Sequence, residues 1–141
     1  MDVEIVPYAE SHFDGLDGLW RACFPNDPPR NAAKAVAPSK IALQPELLLV
    51  ALDGELVVGS VMAGYDGHRG WINRLAVAPA YRRQGIGAAL MREAENRLLA
   101  MGCAKINLQV IESNAAVVGF YRRLGYVVEA RISMGKQMRQ F

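Results

Sequence analysis

The spacing of apolar and polar positions divides the chain into alternating extended and helical stretches. Val3 to Val6 reads as a short strand, and Ser11 to Cys23 as a helix capped by Ser11, with Phe13, Leu16, Leu19, Trp20 and Cys23 on one face. Three prolines in "FPNDPPR" break that helix. Asn31 to Leu43 predicts a weaker helix interrupted by Pro38. Leu47 to Leu52 and Glu55 to Ala63 are apolar and β-branched, and Asp53-Gly54 between them is a strong hairpin signal. A second such pair, Asp66-Gly67, leads into a strand from Trp71 to Val77.

Beyond Pro79 the pattern changes period. Positions 86, 90, 94, 98 and 101 form one apolar stripe from Ile86 to Met101, where Glu93 can pair with Arg97 one turn on, and Gly102 stops the helix. Lys105 to Val110 predicts a strand, Asn114 or Ser113 caps a short helix that Gly125 closes, and Tyr126 to Met138 is strand-like with a kink at Gly135. Three consecutive strands followed by strand, helix, strand, helix and strand predict one α+β domain over residues 1–141. Its sheet is mostly antiparallel, with a parallel crossover and flanking helices.

Composition narrows the function classes. The net charge of +2 argues against general nucleic-acid binding, and no apolar run reaches the roughly 18 residues of a membrane span. The acidic start "MDVEIVPYAE" lacks a basic leader, so a soluble cytoplasmic protein is expected. Cys23 and Cys103 have no CxxC partner and no histidine at ligand spacing; buried reduced thiols are expected, with no metal site. Charge is uneven: residues 1–30 carry six acids and two bases, residues 82–141 ten bases and four acids. Such runs are usually solvated faces, but a basic C-terminal half also suits a small polyanion.

"AYRRQGIGAALM", Ala80 to Met91, concentrates that possibility. A strand ending at a proline, then arginines and glycines, then a helix makes an anion site: the first-turn amides lack partners and the helix dipole favours negative charge. Gly85 and Gly87 permit close backbone approach, and Arg82 and Arg83 add forked donors. A nucleotide-triphosphate loop fails, because Ala88 and Ala89 follow Gly87 in place of Lys and Ser or Thr. A dinucleotide fingerprint fails at Leu90.

What remains, Arg82-x-x-Gly85-x-Gly87 after "INRLAVAP", resembles the cofactor-binding motif of the GCN5-related N-acetyltransferases. "ESNAAVVGFYRRLGY", Glu112 to Tyr126, resembles a second block of the same family. The resemblance implies acetyl-CoA as donor, its pyrophosphate on Arg82, Arg83, Gln84, Gly85, Ile86, Gly87 and Ala88. It also implies a splayed parallel strand pair, with Leu75, Ala76 and Val77 offering backbone groups to the pantetheine arm and to the thioester carbonyl.

Within that resemblance Asn114 would bond the cofactor and Tyr121 would bond it and act as general acid; on spacing alone they read equally as a helix cap and a core residue. The chain departs from relatives at the general base: Trp71 and Gln109 stand where those carry glutamates. Glu112 or a water chain is left for that role. The expected partner is an unidentified amine acceptor, the expected assembly a monomer or homodimer. The alternative is an acyl-CoA sensor with little or no transfer.

Overall fold

The computed structural model describes residues 2–139. Two compact units emerge, residues 1–108 and 109–141, and each is taken in turn.

The first unit is built on five strands in sequence order: β1 (Glu4–Pro7), β2 (Leu48–Asp53), β3 (Leu56–Tyr65), β4 (Gly70–Val77) and β5 (Ile106–Leu108). Neighbours pair antiparallel except β4 and β5, which run parallel as the crossover through a helix requires. Helices α1 (Phe13–Cys23) and α2 (Ala33–Leu43) cover the face carrying Leu48, Val50 and Leu52, where Leu16, Trp20 and Ala37 join the core. Helix α3 (Ile86–Ala100) covers the opposite face. There a Cβ on Gly59 would stand 3.0 Å from Leu90 and 3.2 Å from the Ala76 carbonyl, so glycine sets how closely α3 approaches. With helices on both sides, β2 is apolar and buried from Leu48 to Ala51 without alternation.

Two irregularities mark β4. Its register against β3 passes from Ser60–Ala76 to Met62–Asn73, so Arg74 and Leu75 together oppose Val61 in a bulge, and Arg74 takes a left-handed φ of 57°. Parallel pairing with β5 covers only Gly70–Ile72, so the remainder of β4 leaves β5 behind.

Several expectations need correction. Ser11 does not cap α1: it lies in a 3-10 turn, Glu10–His12, and the backbone amide of Ala9 donates to His12 Nδ1 at 3.0 Å instead. Pro38 does not interrupt α2, because Ala33 and Ala37 pack the helix into the core while Pro38 faces out and forfeits one hydrogen bond. The first hairpin turns on Gly54-Glu55, one residue later than expected, with Gly54 at φ 61°. In α3, Met91 is buried where the stripe placed Met101, which is 39% exposed.

The second unit holds a 3-10 stretch, Glu112–Val117, running into α4 (Val118–Arg123) and closed at Gly125. Neither Ser113 nor Asn114 forms a side-chain cap; the stretch begins after Ile111, whose carbonyl takes the Asn114 amide at 2.8 Å. No strand forms between Tyr126 and Arg139 among the described residues. Val127, Ile132 and Met134 have strand chemistry, yet ladder bonds require a partner strand that local sequence does not supply. Cys103, in the first unit, is buried and Cys23 half-buried, both as free thiols.

Candidate functional site

Pro79 opens a short 3-10 turn, Pro79–Tyr81, from which the chain passes through Arg82 to α3. Arg83 and Gly85 both adopt left-handed backbone, at φ 63° and 83°. Alternation of this kind turns successive amides toward one side and forms an anion-binding concavity. Gly85 is the N-cap of α3 and carries no capping side chain; the first intrahelical bond is from the Ala89 amide to the Gly85 carbonyl at 3.0 Å. The amides of Ile86, Gly87 and Ala88 therefore have no acceptor within the helix. Arg82, Arg83, Gln84 and Gly85 are exposed, Gly87 and Ala88 half-buried, and Ile86 is buried in the core. Nothing lies within 4 Å of where a Gly85 Cβ would stand, so the concavity is open.

The open length of β4 ends beside this loop. The Ala78 amide donates to Val58 across the sheet at 2.8 Å, and alternation then points the backbone groups of Val77 away from β3. The Val77 carbonyl accepts from Arg82 Nε at 3.0 Å and from the Cys23 thiol at 3.7 Å. Arg82 also reaches Cys23 Sγ through Nη2 at 3.7 Å. The Arg82 side chain is thus folded back on the strand that Leu75, Ala76 and Val77 form. Tyr81 fastens the loop from the other side, its hydroxyl donating to Asp53 Oδ2 at 2.6 Å; that bond raises the phenol above its ordinary value.

On the far side of the bulge, Trp20 Nε1 donates to Ser60 Oγ at 2.8 Å, and Ser60 Oγ donates to the Arg74 carbonyl at 2.9 Å. The Arg74 guanidinium contacts the rings of Phe24 and Trp20 and pairs with Asp27 at 2.6 Å. Beside it, between α1 and the start of α2, a cavity of about 390 Å³ is walled by Trp20, Phe24, Pro25, Pro28, Pro29 and Ala33. Sequence reasoning missed Ser60 and Arg74. A signal was present: Asn73 and Arg74 are adjacent polar residues in an otherwise apolar strand, where the side chains of neighbours point to opposite faces and at least one needs a polar partner.

In the second unit, Tyr121 on α4 meets Phe120 and Tyr126 edge-on, at 5.2 and 6.0 Å between centroids, and burial raises its phenol above the ordinary value. Asn114 sits within the 3-10 stretch and Glu112 begins it. Gln109 Nε2 donates to Ser133 Oγ at 2.5 Å. Trp71, on β4 of the first unit, is 40% exposed. Leu75–Val77 and Arg82–Ala88 thus come together in the first unit, whereas Asn114 and Tyr121 belong to the second. No group of three metal-ligating side chains occurs among the described residues, and no helix among them is long and apolar enough to cross a membrane.

Comparison with known proteins agrees with this geometry. Residues 13–126 match the model of the acetyltransferase (GNAT) family. A protein named acetyltransferase from Yersinia enterocolitica is 39% identical over 140 residues, 96% of each chain. One of the same designation from Pectobacterium atrosepticum is 40% identical over 141 residues, again 96% of each. Among solved structures, an aminoglycoside N-acetyltransferase in complex with CoA has a TM-score of 0.77 at 17% identity, with 98% of this chain and 96% of that one covered. The NatC complex bound to Gag peptide and CoA gives 0.79 at 24%, covering 94% and 89%.

Proposed function

The chain belongs to the GNAT family of acetyltransferases, and from that premise we propose that it moves an acetyl group from acetyl-CoA to a primary amine by direct attack in a ternary complex. The observation that carries the reading is the uncapped start of α3 beside the open edge of β4. Three amides without intrahelical acceptors, a left-handed Arg83 and Gly85, and the exposed Arg83 cation suit a pyrophosphate, with Arg82 anchoring the loop to β4. Acetyl-CoA supplies the thioester-activated acyl group.

The rest is the work of the chain. Backbone groups of Leu75 and Val77 hold the donor as an added strand, while Ala76, paired with Ser60, keeps that edge in place; an amide at Leu75 donates to the oxygen on which charge develops. The Val77 carbonyl keeps the Arg82 and Cys23 donors it has, so Val77 takes part through its amide. Asn114 is assigned to donor binding. Tyr121 is assigned to the departing thiolate; a phenol near pKa 10, raised further by burial, is a weaker acid than a thiol near 8.5. Its hydrogen bond therefore assists the departure and does not control it.

No carboxylate stands at Trp71 or Gln109, and the Gln109 amide is engaged with Ser133. An acceptor that arrives neutral needs no strong base. At pH 7 about a tenth of an α-amine with pKa near 8 is neutral, against less than about a thousandth of a lysine. This favours an acceptor amine of low pKa.

The test is incubation with acetyl-CoA and a mixed panel of amines, read by thiol release and by the mass of the product. An acetylated amine is expected. Thermal stabilisation by CoA with no turnover on any amine would replace this reading with that of an acyl-CoA sensor.

A further inference from the structure

Arg74 is an unusual residue to find inside a strand. It holds left-handed backbone, its side chain is only 11% exposed, and its guanidinium lies 4.5 Å from the Phe24 ring centre and 5.0 Å from that of Trp20. Nη2 donates to Asp27 Oδ2 at 2.6 Å and to the Asn31 carbonyl at 3.0 Å. Its own carbonyl is held by fully buried Ser60, which is held in turn by Trp20. One residue thus joins the loop between α1 and α2 to the bulge, immediately before Leu75, Ala76 and Val77.

The same contacts settle the charge of the neighbouring cavity. Its two carboxylates are already matched, Asp17 with Arg21 at 2.8 Å and Asp27 with Arg74. The remaining wall is aromatic rings, prolines and alanines. A cationic group entering it would find no unneutralised acid, while an uncharged apolar group would find matching surface.

We propose that Arg74 is a positioning and specificity residue: by neutralising Asp27 it makes the cavity accept an uncharged apolar substituent of the acceptor amine, and through its backbone it ties that cavity to the transfer strand. The specificity half rests on the acetyl-transfer reading; the positioning half does not.

The test compares kcat/KM for phenethylamine, 1,4-diaminobutane and 4-aminobutanoate in the wild type, Arg74→Gln, Asp27→Asn and the double variant. With each kcat/KM referred to the neutral form of the amine, the wild type is expected to prefer phenethylamine by about tenfold or more, the worth of one well-buried apolar group. Arg74→Gln frees the Asp27 carboxylate and shifts relative preference toward diaminobutane. Asp27→Asn frees the guanidinium and shifts it toward 4-aminobutanoate, and the double variant returns to the wild-type order. A residue that merely supports the fold would scale all three amines alike, and that result overturns the specificity half.

Amide hydrogen exchange decides the positioning half without turnover: Asp27→Asn should speed exchange at 24–31 and at 73–77 together. Faster exchange at 24–31 alone, with 73–77 unchanged, overturns it. If the wild type acetylates none of the three amines or any other in the mixed panel, the acetyl-transfer reading and the specificity half fall, while the exchange measurement still judges the coupling.

Discussion

Arg82 Nε donates to the carbonyl of Val77 at 3.0 Å, so the first basic residue of the glycine loop is bound to the end of β4 and not turned toward the concavity it borders. Arg83 next to it is exposed and left-handed. The two arginines should therefore serve the donor in different ways. Arg82→Ala is expected to weaken CoA about tenfold through loss of a charge-assisted hydrogen bond that shapes the strand end, with little dependence on salt. Arg83→Ala should weaken it by a factor that shrinks as salt rises, as exposed charge interactions do. Calorimetric titration with CoA at low and high ionic strength separates the two; equal salt dependence would contradict the division.

Gly85 is required by backbone, not by crowding, since its φ is 83° and the space beside it is empty. Gly85→Ala should cost about 1–2 kcal/mol for a left-handed alanine and lower Tm by roughly 3–6 °C. CoA affinity should fall along with stability, because the same backbone angle directs the first amides of α3. Gly85→Asn, better tolerated in that region, should recover part of both losses.

Much of the framework was legible because it is written locally. The Asp-Gly pairs marked both hairpins to within a residue, the stripe at 86, 90, 94 and 98 marked the buried face of α3, and the Glu93–Arg97 pair forms at 2.7 Å. Gly85 was legible for the same reason: its oddity at a helix start shows in a handful of neighbouring residues. What was not legible depends on partners remote in the chain. Arg74 meets Asp27 only after α1 has packed on β4, and the Trp20–Ser60 bond joins a helix to a strand 40 residues further on. Pro38 survives inside α2 because of packing the local pattern does not contain. Tyr126 to Met138 failed in the opposite sense, having strand chemistry without a partner strand among the described residues.

Ser60 is a fully buried polar side chain with both hydrogen-bonding capacities in use, accepting from Trp20 and donating to the Arg74 carbonyl. Ser60→Ala keeps the volume nearly constant but strands an indole N–H and a carbonyl at the bulge. Each buried group left unsatisfied costs about 1–3 kcal/mol, so a loss of about 2–6 kcal/mol is expected for the two. Urea unfolding should show a lower midpoint at unchanged slope. A loss under about 1 kcal/mol would mean that both groups find other partners.

Tyr121 differs from these in that its expected effect is on rate. Tyr121→Phe removes one hydroxyl and leaves the ring contacts with Phe120 and Tyr126 available. Turnover is expected to fall about tenfold, below the roughly hundredfold or more that a fully controlling acid contributes, with CoA affinity unchanged within about twofold. Steady-state kinetics beside a CoA titration measures both, and unchanged turnover removes Tyr121 from the reaction.

Lys40 tests the electrostatics of the fold away from the site. Its ammonium donates to Gln44 Oε1 at 3.1 Å, and partial burial lowers its pKa from the ordinary 10.5, Glu46 opposing the shift. The native state therefore gives up this proton before the unfolded state does. Between the two pKa values the unfolded chain binds more protons, so stability rises with pH up to about 10.5, and below the folded value the cost of the buried charge is present in full. Lys40→Met removes that cost and leaves Gln44 its bonds to the Tyr65 backbone at 2.9 and 3.3 Å. The variant should unfold at a higher temperature than the wild type near pH 7, by a margin that narrows as pH approaches about 10. Thermal unfolding of the two proteins across that range measures the margin; one that widens with pH would show that burial does not destabilise the charged lysine.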